Sequence, residues 1–435
     1  MRKWMRVAAV MLLTSSVALI VYTMVNVQVA YTHTDLTDVV KNGSAKISRE
    51  DVPSKAPRPR AGPPKPAKAK QSPAVARIKV DRVQISEEFR KAIPQNSAFW
   101  NRKLHSVLRT LARGENLTRF DLLSGSKCRP ETTETLVTNI PDFASYPELY
   151  QGFLRGMHCR DSDLLIDLPE KCLLEDETEN VTLLFAIKSA ARNFEQRQAV
   201  RETWGREGLY QGGLHVRTVF LLGRMSADEP DLGKLLSSES KIFGDLLLWN
   251  FEDSFYNLTL KEHVFYKWAL MHCSKASFIF KGDDDVFVNT QATLKYVTSL
   301  HPEKASKLYT GEIISEASPL RNPEIKYYVP QTFYEGPYPP YAGGGGFLFS
   351  GPLLQSLYSI SWHIPFFPID DVYTGMCFQA LGVSPEKHAG FQTFDVRVED
   401  RENACVHRDL ILVHQRNPKQ TKRLWRKMNS PFLTC

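Results

Sequence analysis

Five aspartates in two short runs carry the chemical interest of this sequence. The run SFIFKGDDDVFVN sets Asp283, Asp284 and Asp285 side by side directly after an apolar stretch. Three adjacent carboxylates repel one another, so the folded chain must supply positive charge or a bound cation there. Oxygen ligands in such a place suit a hard divalent ion, manganese or magnesium, that also takes an oxygen from a phosphate. A solvated acidic turn is the competing expectation, and the flanking Phe278, Phe280 and Phe287 weaken it. The second run lies in HIPFFPIDDVYTGMC and holds Asp370 and Asp371. Apolar surroundings disfavour the charged form of a carboxyl, which is how a general base is tuned. Asp370 is also a candidate N-cap for a helix beginning at Val372, and one aspartate can cap while the other works.

Three cationic side chains and one imidazole are candidates to serve these carboxylates. Lys188 follows an apolar run, and Arg197 and Arg201 are four residues apart, hence on one helical face. That face can pair with the acidic loop or clamp a phosphate; an ordinary salt bridge elsewhere is the alternative. PPYAGGGGFLFSG contains Gly343 to Gly346, a run that no ordinary strand favours. Missing side chains let a ligand approach the backbone, and the apolar Phe347, Leu348 and Phe349 that follow argue for an ordered segment rather than a flexible loop. His414 ends the apolar run ILVHQ; a lone histidine is more often structural, but one at a strand end beside an acidic loop can ligate a metal.

The elements that must position these residues alternate. Val181–Ile187, Val216–Leu222, Leu246–Asn250 and Phe278–Phe280 are continuous apolar runs, the pattern of strands covered on both faces. A helix follows the first at 191–204, and Leu260, Val264, Trp268 and Met271 recur at helical spacing between the last two. Strand–helix alternation predicts an α/β fold with a largely parallel sheet, in which ligands sit beyond the carboxyl ends of the strands. Neither a glycine-rich Rossmann fingerprint nor a P-loop is present. The segment 84–127 has no clear pattern, although its Phe99-Trp100 pair is a candidate to pack on the core.

Charge is divided unevenly along the 435 residues. Residues 1–75 hold twelve basic and four acidic side chains, whereas 76–435 hold 43 and 44. A nucleic-acid-binding domain would carry the excess itself, so that partner class is close to excluded. Val7–Val25 is uncharged and follows Arg2, Lys3 and Arg6, which predicts an uncleaved signal anchor with a cytoplasmic N-terminus; a cleaved signal peptide is the alternative. Residues 51–76 contain seven prolines and six basic residues, an extended spacer rather than a domain. The expected layout is a cytoplasmic tail at 1–6, a transmembrane anchor at 7–29, a stem at 30–95, and a catalytic part at 96–435 that divides at 178/179. Sequons at Asn42, Asn116, Asn180 and Asn257 fit a lumenal location. Seven scattered cysteines read as disulfides with one left over, Cys377 with Cys405 being the candidate pair.

RQAVRETWG (from Arg197), FKGDDDVFVN, YAGGGGFLFSG and IDDVYTGMC, in this order, resemble the Golgi β-1,3-glycosyltransferase family. LLIDLPEKC and GFQTFDV bring the resemblance nearer to the β-1,3-N-acetylglucosaminyltransferases of the poly-N-acetyllactosamine synthase type, from about Cys128 to Cys435. The resemblance implies a GT-A-like, Rossmann-related mixed sheet with helices on both faces, and a Golgi type II membrane protein. It implies inverting transfer of GlcNAc from UDP-GlcNAc to the 3-hydroxyl of a galactose-terminated glycan acceptor. By that resemblance Asp285 and His414 would hold manganese, with magnesium as substitute, and Asp371 would be the base. Lys188, Arg197, Arg201, Asp283 and Asp284 would line the nucleotide side, and Gly344, Gly345, Gly346 and Asp370 the sugar side. Assembly with itself or with related transferases is a further expectation. Galactose transfer from UDP-galactose is the nearest alternative, a glycosidase a remoter one, and a non-catalytic lectin-like membrane protein the alternative from another class.

Overall fold

The computed structural model describes residues 78–114, 128–176, 178–226 and 228–435. Its strands, in chain order, are β1 (Leu164–Ile166), β2 (Val181–Lys188), β3 (Gly208–Tyr210), β4 (Leu214–Arg224), β5 (Leu246–Glu252), β6 (Phe278–Asp283) and β7 (Phe287–Val288). They continue as β8 (Tyr309–Gly311), β9 (Ile313–Ile314), β10 (Tyr341–Ala342), β11 (Gly346–Ser350), β12 (Glu386–Lys387), β13 (Phe391–Gln392) and β14 (Leu412–Val413). The main sheet has the order β1-β5-β4-β2-β6-β11-β8-β12, with β3 added on β4. Its centre, β5-β4-β2-β6, is parallel, and β11 joins β6 antiparallel, so the sheet is mixed.

Continuous apolarity in β2 has the expected cause. Strand alternation sends Leu184 and Ala186 into one core with Val264, Phe265 and Trp268 of the helix Leu258–His272. Leu183, Phe185 and Ile187 enter the other core with Val200 and Trp204 beside the helix Phe194–Glu202. Both predicted helices thus cover the sheet, one on each face. Phe99 and Trp100 are buried as expected, the Trp100 indole donating to the carbonyls of Pro365 and Phe366.

Three expectations are corrected. The stem was expected to reach residue 95, yet Ile85, Phe89 and Ile93 are core residues. The Ser86 hydroxyl caps the helix Glu87–Ala92 and donates to the Gln379 carbonyl, and the Ser86 amide donates to that of Ala380. The N-terminal segment therefore docks on the end of the helix Asp370–Ala380. That helix begins at Asp370 itself, with Ile369 in the cap position and no side-chain cap, so Asp370 is not an N-cap. Cys377 does not pair with Cys405. The disulfides are Cys128–Cys159, Cys172–Cys273 and Cys405–Cys435, and Cys377 is the unpaired, buried thiol. Burial pushes that thiol up to about 12, which makes it inert packing.

The anchor candidate at 7–29, most of the stem, and Asn42 and Asn116 lie outside the described residues. No helix among the described residues is long and apolar enough to cross a membrane. Asn180 is exposed just before β2, and Asn257 is half-buried at the start of the helix Leu258–His272.

Candidate active site

β6 runs through the core and ends at Asp283, so the acidic triplet emerges beyond the carboxyl end of a central strand. The chain then forms β7, which pairs antiparallel with β14, and this pairing returns His414 to the triplet. His414 Nε2 lies 3.4 Å from Asp285 Oδ1. Its Nδ1 lies 3.0 Å from the Thr393 carbonyl, which can only accept, so Nδ1 carries the proton and Nε2 is the nitrogen free to ligate. Asp283, Asp285 and His414 bring one ligand atom each within 4.8 Å of one another. Two carboxylates and an imidazole at that spacing fit a single divalent ion. The Asp285 carboxylate raises the His414 pKa, and in spite of burial the His414 hydrogen bond holds Asp285 below the usual carboxylate range.

Asp284 faces elsewhere. It accepts from the Ser189 hydroxyl at 2.6 Å and from the Asn193 amide at 3.0 Å, and burial pushes it up to about 6. It ties the segment after β2 to the acidic loop, so its carboxylate is engaged by protein donors rather than facing the other two aspartates' cluster. Arg197 and Arg201 are corrected similarly. Arg197 is fully buried and grips Glu239 at 2.8 and 2.7 Å, while Arg201 pairs with Asp245 at 2.6 Å and with Glu239 at 2.7 Å. The salt-bridge alternative holds for both. Arg197 reaches the site only indirectly, donating to the Ser189 hydroxyl that serves Asp284.

Lys188 lies between the two acidic runs. Its ammonium sits 3.0 Å from Asp283 and 2.8 Å from Asp370, linking the two acidic runs. Burial alone would lower its pKa; the Asp283, Asp370 and Asp371 carboxylates raise it well above the ordinary lysine value. Lys281, one strand over, lies 3.2 Å from Asp370 and also pairs with Glu262. Sequence reasoning passed over both Lys281 and Glu262. The available signal was a lysine inside the apolar run FIFKGD, because a charge buried there demands a partner. Burial and the neighbouring Lys188 lower the Lys281 pKa. Burial would raise Asp370, yet the two lysines hold it well below the usual range. Asp370 is thus a buried counter-ion, 3% exposed, and not a substrate contact.

Asp371 is its opposite. No donor among the described residues hydrogen-bonds to its carboxylate, and burial followed by the Asp370 charge pushes it up to about 6. It faces the glycine run: a Cβ placed on Gly344 would lie 3.0 Å from Asp371 Oδ2. A Cβ on Gly345, whose φ is +89°, would lie 3.1 Å from the His414 ring. These two glycines separate the Asp371 carboxylate from the Asp283–Asp285–His414 cluster and put no side chain over either. Gly346 serves packing instead, since a Cβ there would strike Phe280 and Leu412 at 2.6 and 2.8 Å. The bare stretch ends in β11, which pairs Gly346 with Gly282 and Phe347 with Lys281 on the acidic strand.

A mixed α/β fold that sets three side chains able to hold a divalent ion and an unpartnered carboxylate on either side of a glycine turn is equipped for transfer chemistry at a polar substrate. Residues 195–389 match the family described as Galactosyltransferase. The chain is 44% identical over 360 residues to the N-acetyllactosaminide beta-1,3-N-acetylglucosaminyltransferase 2 of Mus musculus, which spans 80% of this chain and 89% of the relative. Its Homo sapiens counterpart is 42% identical over the same shares. The UDP-GlcNAc:betaGal beta-1,3-N-acetylglucosaminyltransferase 8 of Homo sapiens is 37% identical, over 87% of this chain and 91% of the relative. The chain belongs to the galactosyltransferase family and, within it, to the β-1,3-N-acetylglucosaminyltransferases.

Proposed function

We propose that this protein transfers GlcNAc from UDP-GlcNAc to the 3-hydroxyl of a terminal galactose, forming a β-1,3 linkage that extends N-acetyllactosamine chains. The names of its relatives support the sugar and the linkage. The observation that carries the mechanism is Asp371: a raised, half-buried carboxylate without a hydrogen-bond donor of its own, across Gly344 from open space. Such a group is short of one proton donor, and a sugar hydroxyl supplies it. Asp371 takes the proton as the galactose oxygen attacks the anomeric carbon from the face opposite UDP, so one displacement inverts an α-linked donor to a β product. Lys188 and Lys281 fix Asp370 in its ionised form, and that fixed charge keeps the Asp371 pKa high. Asp283, Asp285 and His414 would hold manganese, with magnesium as substitute. When bound, that ion neutralises charge on the departing diphosphate. In this reading the fold is of the GT-A type, and residues 7–29 anchor it as a type II protein of the Golgi membrane with the catalytic part in the lumen. Three disulfides agree with an oxidising compartment.

The full-length protein in detergent, given manganese, a lactosamine acceptor and either UDP-GlcNAc or UDP-galactose, tests the reading. GlcNAc transfer, abolished by chelation and restored by manganese, is expected. Equal or faster transfer of galactose would overturn the donor assignment.

A further inference from the structure

Away from the aspartates, a cavity of about 610 Å³ lies between the helices Thr290–Thr298 and Pro418–Met428 and the segment 388–411. Gln291, Lys295 and Tyr296 line it from one face of the first helix, and Trp425 from the second. The Gln291 amide, the Lys295 ammonium and the Trp425 indole N–H have no hydrogen bond or ion pair to any described residue. His388 accepts from the Gly390 amide at Nδ1, 3.0 Å, so its proton is on Nε2, which has no acceptor among the described residues. The ion-pair partner of Arg408 is its exposed neighbour Asp409, at 3.8 Å. The Tyr296 and His388 rings meet at 4.4 Å and, with Trp425, give the cavity aromatic walls.

Solvent-facing donors with no protein partner, set beside aromatic faces, suit a ligand that is rich in acceptor oxygens and has apolar C–H faces. Saccharides have that dual character, and the volume lies inside the range of ordinary small-ligand sites. We propose that this cavity is a saccharide-binding site separate from the catalytic one. Separation follows from the connectivity. β7 leads from Asp285 to Asn289 and β14 from Ile411 to His414, and both Asn289 and Ile411 line the cavity. Three to four residue steps separate the cavity from the catalytic cluster along these two segments, a span of about 10–13 Å, and none of Asp283, Asp285, Asp371 and His414 lines the cavity. Lys295 and Arg408 outnumber the one lining carboxylate, Asp409, and bias the site toward sugars that carry an anionic substituent. The inference does not depend on the proposed transfer reaction, because binding is read without turnover.

Isothermal titration and saturation-transfer NMR on the full-length protein in detergent test it, with no nucleotide or metal added. The probes are a repeating N-acetyllactosamine hexasaccharide and its sulfated counterpart. Gln291 and Lys295 are exposed helix residues, so Gln291→Ala/Lys295→Ala keeps the fold, and Trp425→Phe keeps an aromatic side chain against Phe287 while removing the indole donor. Binding by the wild type that weakens at least tenfold in both variants is expected, with transfer to a disaccharide acceptor unchanged. If only the sulfated probe loses affinity, the site is one for anionic saccharides. Isotherms in the double variant that superimpose on the wild type, or no binding of either probe by the wild type, would overturn the proposal.

Discussion

Two neighbouring aspartates on one helical turn are driven in opposite directions by what surrounds them. Asp370 faces two buried lysines and stays ionised; Asp371 faces a bare glycine turn, and burial and the charge of its neighbour raise it to about 6. Asp371→Asn should lower turnover by about 100- to 10,000-fold while leaving nucleotide affinity unchanged, measured by transfer assay and UDP titration. Wild-type kcat/KM should fall as the pH drops through about 6, where the base gains its proton. The same shift has a stability consequence. An unfolded aspartate titrates near about 3.9, below the folded value, so the ionised form destabilises the fold above both values and has no effect below both. Asp371→Asn should therefore stabilise the protein by about 1 kcal/mol at pH 8, after discounting for solvent near a half-buried group, and the gain should vanish towards about pH 4. Thermal melts of the two proteins across pH read this directly; an equally large gain at low pH would sink the assignment. Lys281→Met should do the reverse. It leaves Glu262 buried and poorly compensated, a loss of about 3–5 kcal/mol in chemical denaturation.

At the scale of elements, the glycine-rich entry to β11 divides its work by position. Gly344→Ala needs no unusual backbone and places a methyl against Asp371. It should cut kcat/KM for the acceptor by about 10- to 100-fold, because small misplacements at a reacting centre are that costly, with the melting temperature held. Gly346→Ala overpacks Phe280 and Leu412 and should cost about 1–3 kcal/mol of stability, read in the melt before any assay. Sequence alone showed that four glycines meant close approach, but not to what. The partners, Asp371 and His414, are 27 and 69 residues further along the chain. The four central strands and the two helices that cover them were legible because each buried face left a periodic or continuous apolar run, and the acidic triplet because it ended one; the short outer strands left no such run. Arg197 and Arg201 were read correctly as sharing a helical face and incorrectly as facing a ligand. Glu239 and Asp245, which claim them, come from a different helix and strand start, and no local pattern announces a partner about 40 residues away.

For the molecule as a whole, the misplaced boundary is the N-terminal one, and its physical cause is composition. The proline- and lysine-rich stretch fades into residues whose apolar side chains are too sparse to form a pattern, yet three of them are buried: Ile85, Phe89 and Ile93 are 4%, 0% and 2% exposed. Burial of side chains of this size contributes about 1.5–3 kcal/mol each, so the three together approach the whole net stability of an ordinary domain, about 5–15 kcal/mol. They also bear on chemistry at a distance. Ser86 bonds to Gln379 and Ala380 at the far end of the helix whose first turn presents Asp371, so the N-terminal segment helps to hold the base. Placed behind a cleavable signal peptide, a protein beginning at residue 78 should be secreted, soluble and active. One beginning at residue 96 should aggregate or melt at a far lower temperature and transfer no sugar. Secretion yield, melting curves and transfer assays on the two proteins compare them directly. Equal behaviour would mean that the segment 78–95 is a passive part of the stem and that its buried side chains contribute nothing to the fold.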